Sequence, residues 1–305
     1  MSQAIGIFDS GIGGLTVLKE VRNHLPSEDI IYLGDTARVP FGTKSPETVL
    51  KFTIQNTLFL LEKGVKAIVI ACNTASAYGL DSIQNYFRVP VIGVIEPGAS
   101  SAVPKTKNRQ IGVIGTEGTI RSQAYPQAIA KLDAAVKTKA LACPLLVGLA
   151  EEGWCEGEIV RKILDVYLAD FKGNGVSEDR IDSVRAKGGY WVGAGGSDTW
   201  GTGGAVPGAE GFAPDLIDTL ILGCTHYPLF KKAISEVLGS NISIVDSATE
   251  TAGALKKTLK ELHLEQTSGR AGQTQLFCTD APERVARVGR YFLGDEIPKV
   301  TKVEI

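Results

Sequence analysis

Two stretches of the chain share one local grammar. IVIACNTASA (68–77) and LILGCTHYPL (220–229) each run from apolar residues through a small residue to a cysteine followed by polar side chains. The cysteines are Cys72 and Cys224. A buried structural role is the common fate of a free cysteine, and it is the reading given to Cys143, Cys155 and Cys278. For Cys72 and Cys224 the repeated position and polar flanks favour chemistry. One reading is a nucleophilic cysteine with His226 as its base, which leaves the second cysteine without a role. Another is proton transfer at carbon: one thiolate takes a proton from one face of a small substrate while the opposite thiol supplies one to the other. A free thiol titrates near about 8.5, so a thiolate at neutral pH needs help. Asp9 and His226 could receive or relay protons. Thr225 and backbone N–H groups at helix starts could hold substrate carboxylates.

Alternating strands and helices must position these groups. Residues 4–8 form a short apolar run ending at Asp9-Ser10-Gly11, which reads as a buried parallel strand opening into a Gly-rich turn. A helix follows, closed by Pro26. Residues 29–33 read as a second strand, ending in Gly34-Asp35-Thr36. Ser45-Pro46-Glu47 is a helix start: a capping hydroxyl, proline at the first helical position and an acid in the first turn. The third strand, 67–71, leads to Cys72; a helix through Phe87 and a strand at 91–94 follow. Glu96-Pro97-Gly98 reads as a junction. The pattern restarts with IGVIG (111–115) and the turn Thr116-Glu117-Gly118-Thr119. A strand at 138–143, a helix from 157 to about 172 and a strand at 217–222 lead to Cys224. Beyond it lie strands at 242–245, 273–277 and 300–305, with helices near 249–262 and 281–292.

The expected fold class is therefore α/β: two similar parallel-sheet domains with the site in the cleft between them, plus a Gly-rich insertion. In such sheets ligands sit beyond the carboxyl ends of the strands. Asp9-Ser10, Asp35-Thr36, Cys72-Asn73-Thr74 and Cys224-Thr225-His226 all occupy that position. The insertion, about 173–214, holds twelve glycines in 42 residues. A loop so long and featureless reads as a flexible insertion, with Tyr190, Trp191 and Trp200 allowing a packed flap instead.

Composition excludes several classes. The 305 residues are 44% hydrophobic and 22% charged, enough for one large domain or two ordinary ones. A net charge of −2 with no basic run argues against nucleic-acid and anionic-membrane partners. The start shows no secretory leader, and no apolar stretch nears the roughly 20 residues of a span, so a cytoplasmic chain is expected. Five cysteines, an odd number, argue against a disulfide framework. Three histidines and no C-x-x-C leave no expected metal site. Gly11-Ile12-Gly13-Gly14 lacks the third glycine of a dinucleotide fingerprint and the lysine of a P-loop. A turn that needs close backbone approach is the better reading.

The chain resembles glutamate racemase, of the cofactor-independent aspartate/glutamate racemase superfamily. The matching text is IGIFDSGIGGLTVLKEV, YLGDTARVPFGTKS, IVIACNTASA, VIGVIEPGA, IGVIGTEGTI, ACPLLVGLAEEGW and DTLILGCTHYPLF. The resemblance implies interconversion of L- and D-glutamate without a cofactor, for bacterial cell-wall synthesis. It implies Cys72 and Cys224 as the catalytic pair, with Asp9 assisting Cys72 and His226 assisting Cys224. It places Ser10, Phe41, Gly42, Asn73, Thr74 and Thr225 with Asp9 and His226 at the substrate, and Glu151 as a further acid, with adjacent Glu152 as the alternative. Asp35 matches the acid of YLGDT. The family arrangement implies a first domain of 1–98 with 247–305, carrying Cys72, and a second of 99–246, carrying Cys224. A homodimer is one assembly it allows.

Three departures from the family pattern stand out. Phe41 replaces the usual tyrosine, which removes any phenol contact. Gly148 and Ala150 replace the usual proline and valine. The 173–214 insertion is the third. Rival readings are a racemase of aspartate or another amino acid, a non-catalytic two-domain binder of an acidic ligand, and a Cys-His hydrolase.

Overall fold

The computed structural model describes residues 3–172, 190–192, 217–267, 269–294 and 297–305. Two sheets organise them. The first has the strand order β11-β10-β2-β1-β3-β4, all pairs parallel. Its strands are β1 (Ile5–Asp9), β2 (Ile30–Gly34), β3 (Ala67–Ile70), β4 (Val91–Gly93), β10 (Thr274–Cys278) and β11 (Val300–Lys302). The second has the order β7-β6-β5-β8-β9: β5 (Gln110–Gly115), β6 (Lys137–Ala142), β7 (Tyr190–Val192), β8 (Thr219–Gly223) and β9 (Ser243–Asp246). It too is parallel, except that β7 runs antiparallel along β6.

β1, β2, β3 and β8 are buried at every residue. That is why they read as continuous apolar runs without alternation: helices cover both faces of a parallel sheet. Between strands run α1 (Leu15–His24), α2 (Pro46–Glu62), α3 (Asn73–Tyr86), α4 (Ile95–Ala102), α5 (Glu117–Arg121), α6 (Ala124–Leu132), α7 (Leu145–Glu151), α8 (Glu158–Tyr167), α9 (Lys231–Leu238), α10 (Ser247–Glu261) and α11 (Pro282–Leu293). The Ser45 hydroxyl accepts from the Thr48 N–H and Pro46 opens α2, as the cap signature predicts.

Two expectations need correction, and three residues of the Gly-rich stretch take a definite position. Glu96-Pro97-Gly98, read as a junction, is helical: it lies in the first turn of α4. Proline is tolerated there because first-turn N–H groups have no intrahelical acceptor. Within the Gly-rich stretch, 190–192 pairs as β7, an edge strand built from Tyr, Trp and Val, which favour extended backbone. The rest of that insertion lies outside the described residues. Asp35-Thr36, expected at the shared site, turns away from it. Asp35 is buried and grips Arg38, whose Nε is 2.9 and 2.7 Å from its two oxygens. Arg38 in turn stacks over Phe52, 4.2 Å from the ring centre. The Thr36 hydroxyl donates to the Asp280 carbonyl. No helix among the described residues is long and apolar enough to cross a membrane.

Candidate active site

The tips of β1 and β3 in the first sheet, and of β5 and β8 in the second, converge on one small cavity. Its lining includes Ser10, Phe41, Gly42, Cys72, Asn73, Thr74, Glu151, Cys224, Thr225 and His226. Its free volume is about 30 Å³, room for one water and far less than a ligand pocket. The two thiols therefore sit in a narrow, buried site. Cys72 and Cys224 are 6% and 5% exposed, and Asp9 is wholly buried.

The turn after β1 is shaped by its own polar groups. Asp9 Oδ2 accepts from the Gly11 N–H at 2.9 Å, the Tyr32 hydroxyl donates to the Gly11 carbonyl at 2.9 Å, and the Thr16 hydroxyl donates to the Gly13 carbonyl at 2.9 Å. This turn then meets the other sheet. A Cβ on Gly13 would lie 2.4 Å from Thr225 Oγ1 and 2.5 Å from His226 Nδ1. Close approach across the cleft, not nucleotide binding, explains the glycines. The Thr225 hydroxyl reaches Asp9 Oδ1 at 3.5 Å, while its carbonyl accepts from Thr16.

Cys72 caps α3, its Sγ 3.5 Å from the Ala75 N–H. The helix N-terminus favours negative charge there. Burial nonetheless dominates, and with the Asp9 charge it pushes the thiol up to about 12, against the pull of the Ser10 hydroxyl. Burial also raises Asp9, although His226 and the Gly11 and Gly14 N–H groups oppose it. This side of the cavity resists negative charge.

On the opposite side an imidazole faces the thiol. His226 Nδ1 is 3.7 Å from Cys224 Sγ, and Nε2 is 3.4 Å from Glu151 Oε1. The second contact has ion-pair distance without hydrogen-bond alignment. Burial alone would make His226 less basic. Cys224 and Glu151 outweigh it and raise the imidazole to about 10. Burial likewise works against Glu151, but His226 and Arg284 hold its carboxyl below the usual range. Of the two adjacent acids, Glu151 lines the cavity, whereas the Glu152 side chain is 70% exposed and meets Arg284.

The remaining predicted residues form the walls. The buried Phe41 ring packs on Phe52, 5.5 Å between centres. Gly42 lies against Thr116, where a Cβ would come within 2.6 Å. The Thr74 hydroxyl meets those of Thr116 and Thr119 at 2.8 and 3.1 Å, joining the two sheets' tips. Asn73 Oδ1 accepts from the Tyr125 hydroxyl at 2.8 Å, and its buried Nδ2 has no protein acceptor. Cys143 lies buried in the second core and Cys278 in the first. No cluster suited to a metal ion occurs among the described residues.

Sequence reasoning missed Thr116, Thr119, Tyr125 and Arg284. The Thr116 to Thr119 turn was visible as a strand-end motif, which signals site proximity in a parallel sheet. Tyr125 and Arg284 carry no such signal, since each lies within a helix far from both cysteines in sequence.

Two buried thiols on one cavity, one beside an imidazole and the other near a buried carboxyl, are an arrangement suited to two-base proton transfer at carbon. A family model described as Asp/Glu/hydantoin racemase matches residues 15–159. A glutamate racemase of Geobacter metallireducens is 43% identical over 303 residues, spanning 99% of this chain and 97% of its own. The structure of a glutamate racemase isoform of Bacillus anthracis superposes with a TM-score of 0.82 at 34% identity, over 99% of this chain and 98% of that one. The glutamate racemase of Francisella tularensis, solved in complex with D-glutamate, gives 0.79 at 35% identity over the same shares. The chain belongs to the glutamate racemase family.

Proposed function

We propose that this protein interconverts L-glutamate and D-glutamate by moving the α-proton between Cys72 and Cys224, without a cofactor, and so supplies D-glutamate for peptidoglycan. The observation that carries this reading is two buried thiols lining one cavity, Cys224 against the His226 imidazole and Cys72 near the buried Asp9 carboxyl. Turnover by two bases needs one thiolate and one thiol at a time. His226, held basic by Cys224 and Glu151, can take the Cys224 proton. Burial beside Asp9 keeps Cys72 protonated and ready to donate. After one turnover the roles are exchanged, and the reverse reaction restores them. Asp9 is the group placed to accept the Cys72 proton when that thiol must act as base.

Carboxylate binding is assigned to the Asn73 Nδ2 donor, the Thr225 hydroxyl and the N–H groups at the start of α3. Thr74, Ser10, Phe41 and Gly42 shape the rest of the pocket. A cavity of about 30 Å³ does not admit an amino acid, so the two halves must part for entry and close for chemistry. We assign 1–98 with 247–305 to one half and 99–246 to the other, since each set of numbers carries the strands of one sheet. Cytoplasmic residence and assembly as a homodimer belong to the same reading; light scattering of the purified chain tests the second.

The test is circular dichroism of L-glutamate and of D-glutamate with purified protein and no added cofactor. Signal from both enantiomers should decay to zero, and either Cys72→Ala or Cys224→Ala should stop the decay. A flat wild-type trace from folded protein would refute the glutamate assignment. Aspartate run alongside distinguishes the aspartate reading.

A further inference from the structure

Helix α11 follows a strand of the first sheet but touches the second half at three points. Arg284 Nη2 lies 3.3 Å from Glu151 Oε2 and 3.4 Å from Glu152 Oε1. The Tyr291 ring covers Gly153, where a Cβ would sit 2.6 Å from Cζ. Phe292 meets the His226 ring edge-on, with centres 5.8 Å apart and planes at 83°. The three contacts surround the short stretch that presents Glu151. One carboxylate oxygen of Glu151 faces Arg284 and the other faces His226.

We infer that Arg284 is a positioning residue for the Cys224 side of the site: it holds Glu151 from behind, so that the other carboxylate oxygen stays against His226. This rests on the racemase reading above, but its main test does not. The groups facing Glu151 are His226 beside Cys224, Arg284 on α11, and Asp9 across the cleft, with Glu152 next in sequence. Remove Arg284, and the two acids repel Glu151 with only His226 to hold it. The carboxylate is then free to swing toward solvent, since the side chain is already 17% exposed.

Two roles for Arg284 make opposite predictions for His226. If Arg284 acted only as a nearby positive charge, its loss would make His226 more basic. If it holds Glu151 in place, its loss makes His226 less basic, because the Glu151 carboxylate moves away from the ring. The chain has three histidines, so the His226 ring signals can be identified by comparison with His226→Gln.

The experiment is NMR titration of the His226 ring in wild type, Arg284→Gln, Arg284→Lys and Glu152→Gln, with thermal melts and racemisation pH profiles on the same samples. In Arg284→Gln the His226 pKa should fall by about half a unit or more, with kcat reduced about fivefold, a size fitting a half-exposed ion pair. Arg284→Lys should recover part of both. Glu152→Gln should titrate as wild type. The two enantiomers have equal free energy in water, so kcat/KM must fall equally in both directions; the imidazole titration is what discriminates. An unchanged or raised His226 pKa in Arg284→Gln overturns the inference, as does a uniform loss of activity with a lowered Tm and an unmoved titration. If wild type fails to racemise glutamate, the racemase reading falls while the titration still decides the role of Arg284.

Discussion

Gly13→Ala isolates how much the site depends on close approach of its two walls. The added methyl would lie 2.4 Å from Thr225 Oγ1, and 2.5 and 2.6 Å from His226 Nδ1 and Cε1. An ordinary Cβ contact starts near 3.4 Å, so the shortfall is about 1 Å. Backbone strain contributes nothing, since Gly13 does not have a positive φ. The His226 ring cannot simply rotate away, because Cys224, Glu151 and Phe292 hold it on three sides. The walls must therefore part by about the missing distance. A displacement of about 1 Å at a reacting group costs on the order of 100-fold in rate. Overpacking costs about 1–3 kcal/mol of stability, partly offset by about 0.4–1 kcal/mol from the stiffer unfolded chain. The assay is kcat from the dichroism decay, paired with urea unfolding. Gly148→Ala is the control: its methyl would meet nothing within 4 Å, and alanine in α7 should stabilise by about 0.5–1 kcal/mol with activity kept. Wild-type activity in Gly13→Ala would refute the argument that these walls must touch.

Arg38→Ala should leave the Asp35 carboxylate buried with only the neutral donors Asn56 and Thr279 and cost about 3 kcal/mol in urea unfolding, because a buried charge that loses its counter-charge is expensive. Cys143→Ala should keep racemisation while losing about 1 kcal/mol or more of stability, since that thiol packs in the second core and does not line the cavity. His226 is raised from 6.5 to about 10, so its contribution to stability is complete below pH 6.5 and disappears as pH rises through about 10. Wild type should therefore lose stability across that window more steeply than His226→Gln, and equal slopes in urea melts would contradict the assigned contacts.

Much of this architecture is written locally. The buried parallel strands declare themselves as unbroken apolar runs, and α2 is announced by Ser45 and Pro46 because a cap is a contact between near neighbours. Cys72, Asn73, Cys224 and His226 stand out because a parallel sheet delivers its strand tips to one edge. That same rule misleads at Asp35, which has the right position but is captured by Arg38 three residues on. It also misleads at Glu96-Pro97-Gly98, where proline and glycine suggest a break yet fit the first turn of α4. The helical spacing of Tyr125, Ala128, Ile129 and Leu132 went unread, and it marks α6, a nine-residue helix whose Tyr125 supports Asn73.

The sequence by itself determined which residues could do chemistry, and that two similar sheets would carry them, because residue type and hydrophobic period are properties of short stretches. Only the tertiary structure decided what each of them faces. Cys72 and Cys224 have similar surroundings in sequence. In space one thiol lies beside a buried carboxyl and the other beside an imidazole backed by Glu151 and Arg284. Burial and partner charge set the proton's preferred place, and both depend on which distant segments meet. Arg284, on the penultimate element of the chain, shows why no local pattern could have revealed it: its meaning lies entirely in what it touches.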